Sequence, residues 1–383
     1  MKMTLEPSCL EWARIRAGLT TSDLTEKLGV PEIQIAEWEQ TGEITLARAE
    51  KLASVTRTPF GYLFLPSPPV EVLPIDDFRT IGSKSASISP NLIDAVNDAI
   101  LRRDWYREYL IENGTEPLNF VGSLKVSTPI LDAANQIRSV VAWDSAVRAK
   151  ASSWDAALNR QIDAIEQIGV LVTRSGIVGN NTRRTLSVDE FRGFAIADSY
   201  APLLFVNSRD ARAAQMFTLA HELVHIWIGE SGVSNLIQTR PFVNSIEQFC
   251  NAVAAELLVP VSDLRSQWDT ANQYSDTVQR LSRYFKVSSL VILRRLLDVG
   301  YISEEEFGRR YNSELVEISR AKPSEGGGDF YKTLRVRLGK RFVSALVEST
   351  LEGGTLYRDA FKMLGVSKSD TLLQLAARIG ANA

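Results

Sequence analysis

Apolar positions recur every three to four residues along most of this chain, the spacing that gathers side chains on one face of a helix. Between residues 8 and 65 the pattern breaks into five short helices. The first covers 8–17 and ends at Gly18; the second covers 22–28, capped by Thr20 or Thr21 and stopped by Gly29. Pro31 opens a third at 32–39 that Thr41-Gly42 closes, and helices at 45–55 and 59–65 follow. Pro66-Ser-Pro-Pro69 ends this series, and an extended connector runs on to Pro90. Within it, Leu73-Pro-Ile-Asp-Asp-Phe78-Arg79-Thr80 is too specific for a featureless linker and is expected to lie along the next domain. Helical spacing resumes over 91–112, 129–149 and 154–167. Short apolar runs at 169–173, 192–196 and 202–206 then predict three strands. Asn207-Ser208 introduces a helix in which Met216, Leu219, Ala220, Leu223, Val224 and Trp227 are apolar, ending at Gly229. A helix at 245–259 comes next. Residues 278–300 then form two helices about a Val-Ser-Ser turn, read as a packing element. Lys322-Pro-Ser-Glu-Gly-Gly-Gly328 is a flexible break before a last helical segment.

With 383 residues the chain can build two or three domains with real cores, and 45% hydrophobic with 23% charged residues is the balance of a soluble globular protein. The N-terminus has no signal-peptide core and no run of twenty apolar residues exists, so the expected location is the cytoplasm. Two cysteines, Cys9 and Cys250, exclude a secreted disulfide scaffold; Cys250 lies in an apolar helical stretch and reads as core.

A net charge of −3 selects no class of partner, but its distribution is informative. Up to Leu65, seven basic residues face nine acidic ones, a balance of −2, whereas from Lys322 onward ten basic residues face six acidic ones, a balance of +4. Affinity for nucleic acid comes largely from Lys and Arg on phosphates. The C-terminal segment is therefore electrostatically the better nucleic-acid candidate, although a solvated basic face is the commoner outcome.

The candidate chemistry sits in Phe217-Thr-Leu-Ala-His221-Glu222-Leu-Val-His225, an H-E-x-x-H sequence holding the only two histidines of the chain. Residues four apart share a helix face, so both imidazoles can take one metal ion, as half of a tetrahedral zinc site. Glu222 is then placed to act as general base on a water that the metal activates. A catalytic zinc site needs a third protein ligand, and no histidine remains. The following helix offers Glu247 and Asn251, four apart. Glu247 is the preferred third ligand, with Asn251 orienting a histidine from behind. Glu256 is the rival carboxylate, on another face of that helix. With no third histidine, Tyr200, Arg209 and Arg212 are the candidates to stabilise an oxyanion, and the sequence does not choose among them.

Two resemblances follow from these residues. The run from Leu19 to Gly42, with its Trp38-Glu39-Gln-Thr-Gly42 ending, resembles the helix-turn-helix of the Xre/Cro repressors, although its second helix offers only Gln34 for base reading and carries three glutamates. The metal-helix sequence, the later Glu247-Gln-Phe-Cys-Asn251-Ala-Val-Ala-Ala-Glu256-Leu-Leu-Val-Pro260, and Ala133-Ala-Asn-Gln-Ile-Arg138 together resemble the ImmA/IrrE metallopeptidases over roughly residues 90–310. An Xre-like module joined through a Pro-rich connector with an Asp-Phe-Arg element is a recurring arrangement in that family.

The resemblance implies a mostly α protein with a small α+β zincin-like catalytic domain flanked by all-α helix-turn-helix-type domains. The expected boundaries are 1–66 (Xre-like), 67–90 (connector), 91–260 (HExxH metallopeptidase), 261–320 (helical, helix-turn-helix-like) and 321–383 (basic, helical). It implies a zinc endopeptidase that cleaves a DNA-binding repressor in stress response or mobile-element control. Zn2+ would be held by His221, His225 and Glu247, with Glu222 as base, and manganese is an alternative occupant. DNA, through either helix-turn-helix or the basic C-terminus, and a second copy of the chain are further candidate partners. The alternative of a different class is a transcriptional regulator or antitoxin-like protein whose metal site is sensory or structural; Glu222 counts against it, because a structural site needs no base.

Overall fold

The computed structural model describes residues 2–78, 88–143, 145–234, 245–268, 274–320 and 329–380. The chain divides into two compact units, Met1–Pro74 with Ser87–Val96, and Ile75–Ala86 with Asn97–Ala383. The break expected at 322–328 lies outside the described residues.

The first unit contains β1 (Lys2–Thr4), α1 (Pro7–Arg16), α2 (Thr21–Leu28), α3 (Glu32–Thr41), β2 (Glu43–Thr45), α4 (Leu46–Thr56) and a 3-10 turn at Phe60–Phe64. Thr20 caps α2 through a reciprocal capping box with Asp23. Leu10, Leu24, Leu28, Ile35, Trp38 and Leu52 close the core, and the Arg14 guanidinium takes both oxygens of Glu39 at 2.7 and 2.9 Å. The antiparallel pairing of β1 with β2, Lys2 opposite Thr45, joins segments that carry no alternation of their own.

The second unit starts at β3 (Asp76–Asp77) and includes most of α5 (Pro90–Glu112). Next come α6 (Ile130–Val141), α7 (Ser145–Ala149), α8 (Trp154–Gln167), β4 (Leu171–Ser175), β5 (Gly193–Ile196), β6 (Leu203–Asn207), α9 (Arg212–Ile228), β7 (Gly232–Ser234) and α10 (Ser245–Leu258). Eight helices complete it: α11 (Val261–Gln267), α12 (Tyr274–Phe285), α13 (Ser289–Asp298), α14 (Glu304–Arg320), α15 (Phe330–Leu338), α16 (Lys340–Leu351), α17 (Tyr357–Leu364) and α18 (Ser369–Ile379). This unit is predominantly helical around a small mixed sheet.

That sheet has the order β3-β7-β5-β6-β4. β4 runs parallel to β6, β5 lies antiparallel to both β6 and β7, and β3 runs parallel to β7. Every residue of β5, β6 and β7 is buried, as expected for strands covered on both faces. α9 lies against β5 and β6 and is flanked by α8 and α10. Its core residues Met216, Leu219, Leu223, Val224 and Trp227 belong to one continuous cluster with Ile137, Leu158, Val206, Val253 and Leu257. That cluster extends without a break to Phe285, Ile292 and Leu296, so α12 and α13 pack into the same core as the sheet.

The C-terminal helices also attach to this unit. α15 packs on β4, the Glu166 carboxylate accepts from the Lys340 backbone N–H at 3.0 Å, and the Glu166 carbonyl accepts from Arg341 at 2.8 Å. Trp105 on α5 meets Phe342 edge-on and donates to the Thr355 hydroxyl at 3.2 Å. Lys340 pairs with Asp163 and Arg378 with Asp329, so part of the basic excess is spent on ion pairs within the unit. Among the described residues no helix is long and apolar enough to cross a membrane.

Glu256 has a structural assignment. Its carboxylate pairs with Arg295, which also donates to the Val259 carbonyl at 3.1 Å, and both side chains are about 5–6% exposed. Arg138 lies 3.5 Å from the other carboxylate oxygen. Removing one member of a buried pair strands the other charge in a medium that solvates it poorly, at a cost of about 3–5 kcal/mol. Arg295→Ala should lower the urea midpoint accordingly, and Glu256→Met/Arg295→Met should recover much of the loss.

Candidate metal centre

α9 is apolar nearly all round, so its polar side chains are carried into the core with it. His221, Glu222 and His225 are 0% exposed and Glu247, on α10, is 1% exposed. The packing of α10 on α9 turns the Glu247 carboxylate onto the two imidazoles. His225 Nε2 lies 3.1 Å from His221 Nε2 and 3.1 Å from Glu247 Oε1, and His221 Nε2 lies 3.4 Å from Glu247 Oε2. A tetrahedral ion with ligand bonds of about 2.0–2.1 Å holds its ligand atoms about 3.3 Å apart, so these separations suit a small divalent cation. Among the described residues this is the one His, Cys, Asp and Glu group that gathers three such donors, all within 4.8 Å of one another.

Asn251, one helical turn beyond Glu247, places its Oδ1 3.1 Å from His221 Nδ1. An amide oxygen can only accept, so the imidazole proton sits on Nδ1 and the Nε2 lone pair faces the cluster. Losing such an orienting partner lowers metal affinity by about 10–100-fold. Asn251→Ala should therefore weaken metal binding by that factor in a chelator competition, with its far-UV circular dichroism unchanged.

Glu222 takes no part in the cluster of donors. Among the described residues neither of its buried oxygens meets a partner at normal hydrogen-bond geometry, and the Ser234 hydroxyl of β7 lies beside them. Burial, then the neighbouring Glu247 carboxylate, pushes its proton affinity well above the ordinary carboxylate range, and Ser234 opposes this weakly. Gly193 on β5 makes the arrangement possible: a Cβ there would sit 2.5 Å from Thr218 Cγ2, 2.8 Å from the Phe205 carbonyl oxygen and 3.0 Å from Glu222 Oε1. Burial also works to raise Glu247, but the charge and hydrogen bonds of His221 and His225 prevail and hold it well below the usual range. Burial lowers His225 despite its hydrogen bond to Glu247, which favours the neutral, ligating imidazole.

The structure brings His221, Glu222, His225, Glu247 and Asn251 together and leaves Glu256 outside. Cys250 is fully buried core; burial, then the Glu247 and Glu222 carboxylates, pushes its thiol up, against thiolate ligation. Each of the side chains weighed as an oxyanion stabiliser has a neighbour of its own. Arg212 pairs with Asp155 at 2.6 Å, Tyr200 lies beneath the Arg107 guanidinium, and the Arg209 stem packs beside Gly176. Sequence reasoning missed Gly193, Ser234, Gly232 and the role of Phe78, whose ring stacks on His225 with centroids 5.3 Å apart and planes 12° from parallel. For Phe78 the signal was present, in the specific character of the connector. For the two glycines and Ser234 no local pattern marks them, because each matters through what lies across the sheet from it.

Residues 165–297 match the family model Peptidase_M78, described as the IrrE N-terminal-like domain. The match takes in β4 to β7, α9, α10 and nearly all of α13, about a third of the chain, and supports a metallopeptidase of the ImmA/IrrE type. Residues 338–378 match a model described as a domain of unknown function (DUF8813). No curated protein matches the chain.

Proposed function

We propose that this chain is a zinc-dependent endopeptidase of the ImmA/IrrE type that hydrolyses a peptide bond in a DNA-binding regulatory protein. The observation that carries the reading is a buried, unpartnered carboxylate, Glu222, one residue along the helix from an imidazole–imidazole–carboxylate donor set. His221, His225 and Glu247 would hold the ion, and an all-N/O set of this kind suits zinc, with manganese a weaker fit. A bound divalent cation supplies Lewis acidity, polarising the scissile carbonyl and making water acidic enough to react near neutral pH.

The chain's own residues do the rest. Glu222, with its raised proton affinity, takes the proton from the attacking water and returns it to the departing amine. Asn251 fixes the tautomer of His221 so that its free lone pair faces inward. A structural or sensory metal site would not need the base, which places the regulator reading second. The N-terminal unit, with its Xre-like α2 and α3, and the basic C-terminal helices are proposed as the parts that find the substrate or its DNA.

Terminal-amine proteomics on cells expressing wild type or Glu222→Gln tests this. New N-termini inside a DNA-binding regulator, present with wild type and absent with the variant, are expected. Metal-loaded wild type that generates no Glu222-dependent termini would favour the regulator instead.

A further inference from the structure

The two histidines of the metal centre are supported differently. His221 is held by Asn251 through Nδ1. Among the described residues the buried Nδ1 of His225 has no hydrogen-bond partner, although ligating imidazoles are ordinarily fixed through their second nitrogen. Its support is an aromatic face: the Phe78 ring lies nearly parallel to the imidazole, at 5.3 Å and 12°.

Phe78 is delivered to this place by backbone pairing. Asp76 stands opposite Gly232 and Asp77 opposite Val233 in the parallel β3–β7 ladder, and the Phe78 N–H donates to the Val233 carbonyl at 3.0 Å. The slot is cut to the ring. A Cβ on Gly232 would fall 2.1 Å from Phe78 Cε2 and 2.4 Å from Cδ2, so any residue larger than glycine would displace the phenyl group. β3 also occupies the side of β7 on which an extended chain could otherwise add to the sheet.

We infer that Phe78 is the positioning residue of His225. Its ring sets the imidazole plane in place of the missing Nδ1 hydrogen bond, and the metal centre is completed by a segment that lies outside the 165–297 match. The inference rests on the metal-site reading above. It makes Gly232 a required partner and makes metal affinity depend on β3 staying in the sheet.

Cobalt(II) titration of the full chain, with a competing chelator for affinity and the visible d–d bands for geometry, tests it on Phe78→Tyr, Phe78→Leu and Gly232→Ala. Tyrosine keeps the stacked ring and should bind as wild type does. Leucine keeps apolar bulk without an aromatic plane, and alanine at 232 drives the ring off the imidazole. Both should bind about 10–100-fold more weakly, with shifted bands. Far-UV circular dichroism and a cooperative melt identify which variants fold; if Phe78→Leu does not, Gly232→Ala carries the comparison. Wild-type affinity and unchanged bands in a folded Phe78→Leu or Gly232→Ala protein would overturn the positioning role while leaving the metal site intact. Failure of the wild type to bind cobalt would overturn both.

Discussion

The Glu222→Gln protein should bind its cation as the wild type does and lose peptide hydrolysis by about 10²–10⁴-fold, the range for removing a general base. The retained metal follows from the geometry, because Glu222 is not among the atoms that cluster with His221, His225 and Glu247. The lost rate follows because Glu247, the carboxylate of that group, faces the imidazoles, and Glu256, outside it, is committed to Arg295. The substitution is nearly isosteric, so Gly193, Thr218 and Ser234 keep their places around it.

A second signature comes from pH. Burial raises the Glu222 proton affinity above its ordinary value of 4.5, so the folded state keeps this proton where the unfolded chain releases it. That contribution to stability is complete below about 4.5 and is lost as pH rises toward the folded value. In metal-free protein, Glu222→Gln removes the loss, and its stability relative to wild type should grow with pH over that window. A constant difference, measured by urea unfolding at several pH values, would contradict the assigned burial of this charge.

The other large effect is expected from His221→Ala. Deleting one of three protein ligands leaves two and also frees Asn251 from its partner, so the purified variant should hold substoichiometric metal and no activity. A ligand bound only by the folded state stabilises it by about 4 kcal/mol when present at a thousandfold excess over its Kd. Wild type should therefore melt at a lower temperature after chelation, whereas His221→Ala should melt at the same temperature with or without chelator. Equal chelator sensitivity in the two proteins would mean that the stabilising ion sits elsewhere.

Much of this centre could be read from the chain because helices translate spacing into direction. Two histidines four apart, and Glu247 with Asn251 four apart on the next helix, are each local facts, and the packing of α10 on α9 brings the two faces together. Helix α8 lies where its periodicity predicts, at Trp154–Gln167. The 129–149 block instead breaks at Ala142, which adopts a left-handed φ of 53° between α6 and α7. Strands were harder. The run at 169–173 pairs only from Leu171 to Ser175, since Gly169 turns away at φ 100° before the ladder begins. β7 has three residues and β3 two, too short for alternation to show. Their pairing depends on segments far apart in sequence, and with it the placing of Phe78 over His225. The same limit hid Gly193, whose neighbours Phe205 on β6 and Thr218 and Glu222 on α9 come from stretches outside its own strand.

X-ray absorption at the metal edge of the purified protein is the most direct test of the centre itself. The account expects one zinc per chain with nitrogen and oxygen ligands at about 2.0–2.1 Å, an imidazole scattering pattern, and no sulfur. A chain without metal, or a first shell containing sulfur at about 2.3 Å, would contradict the assignment of His221, His225 and Glu247 as its ligands.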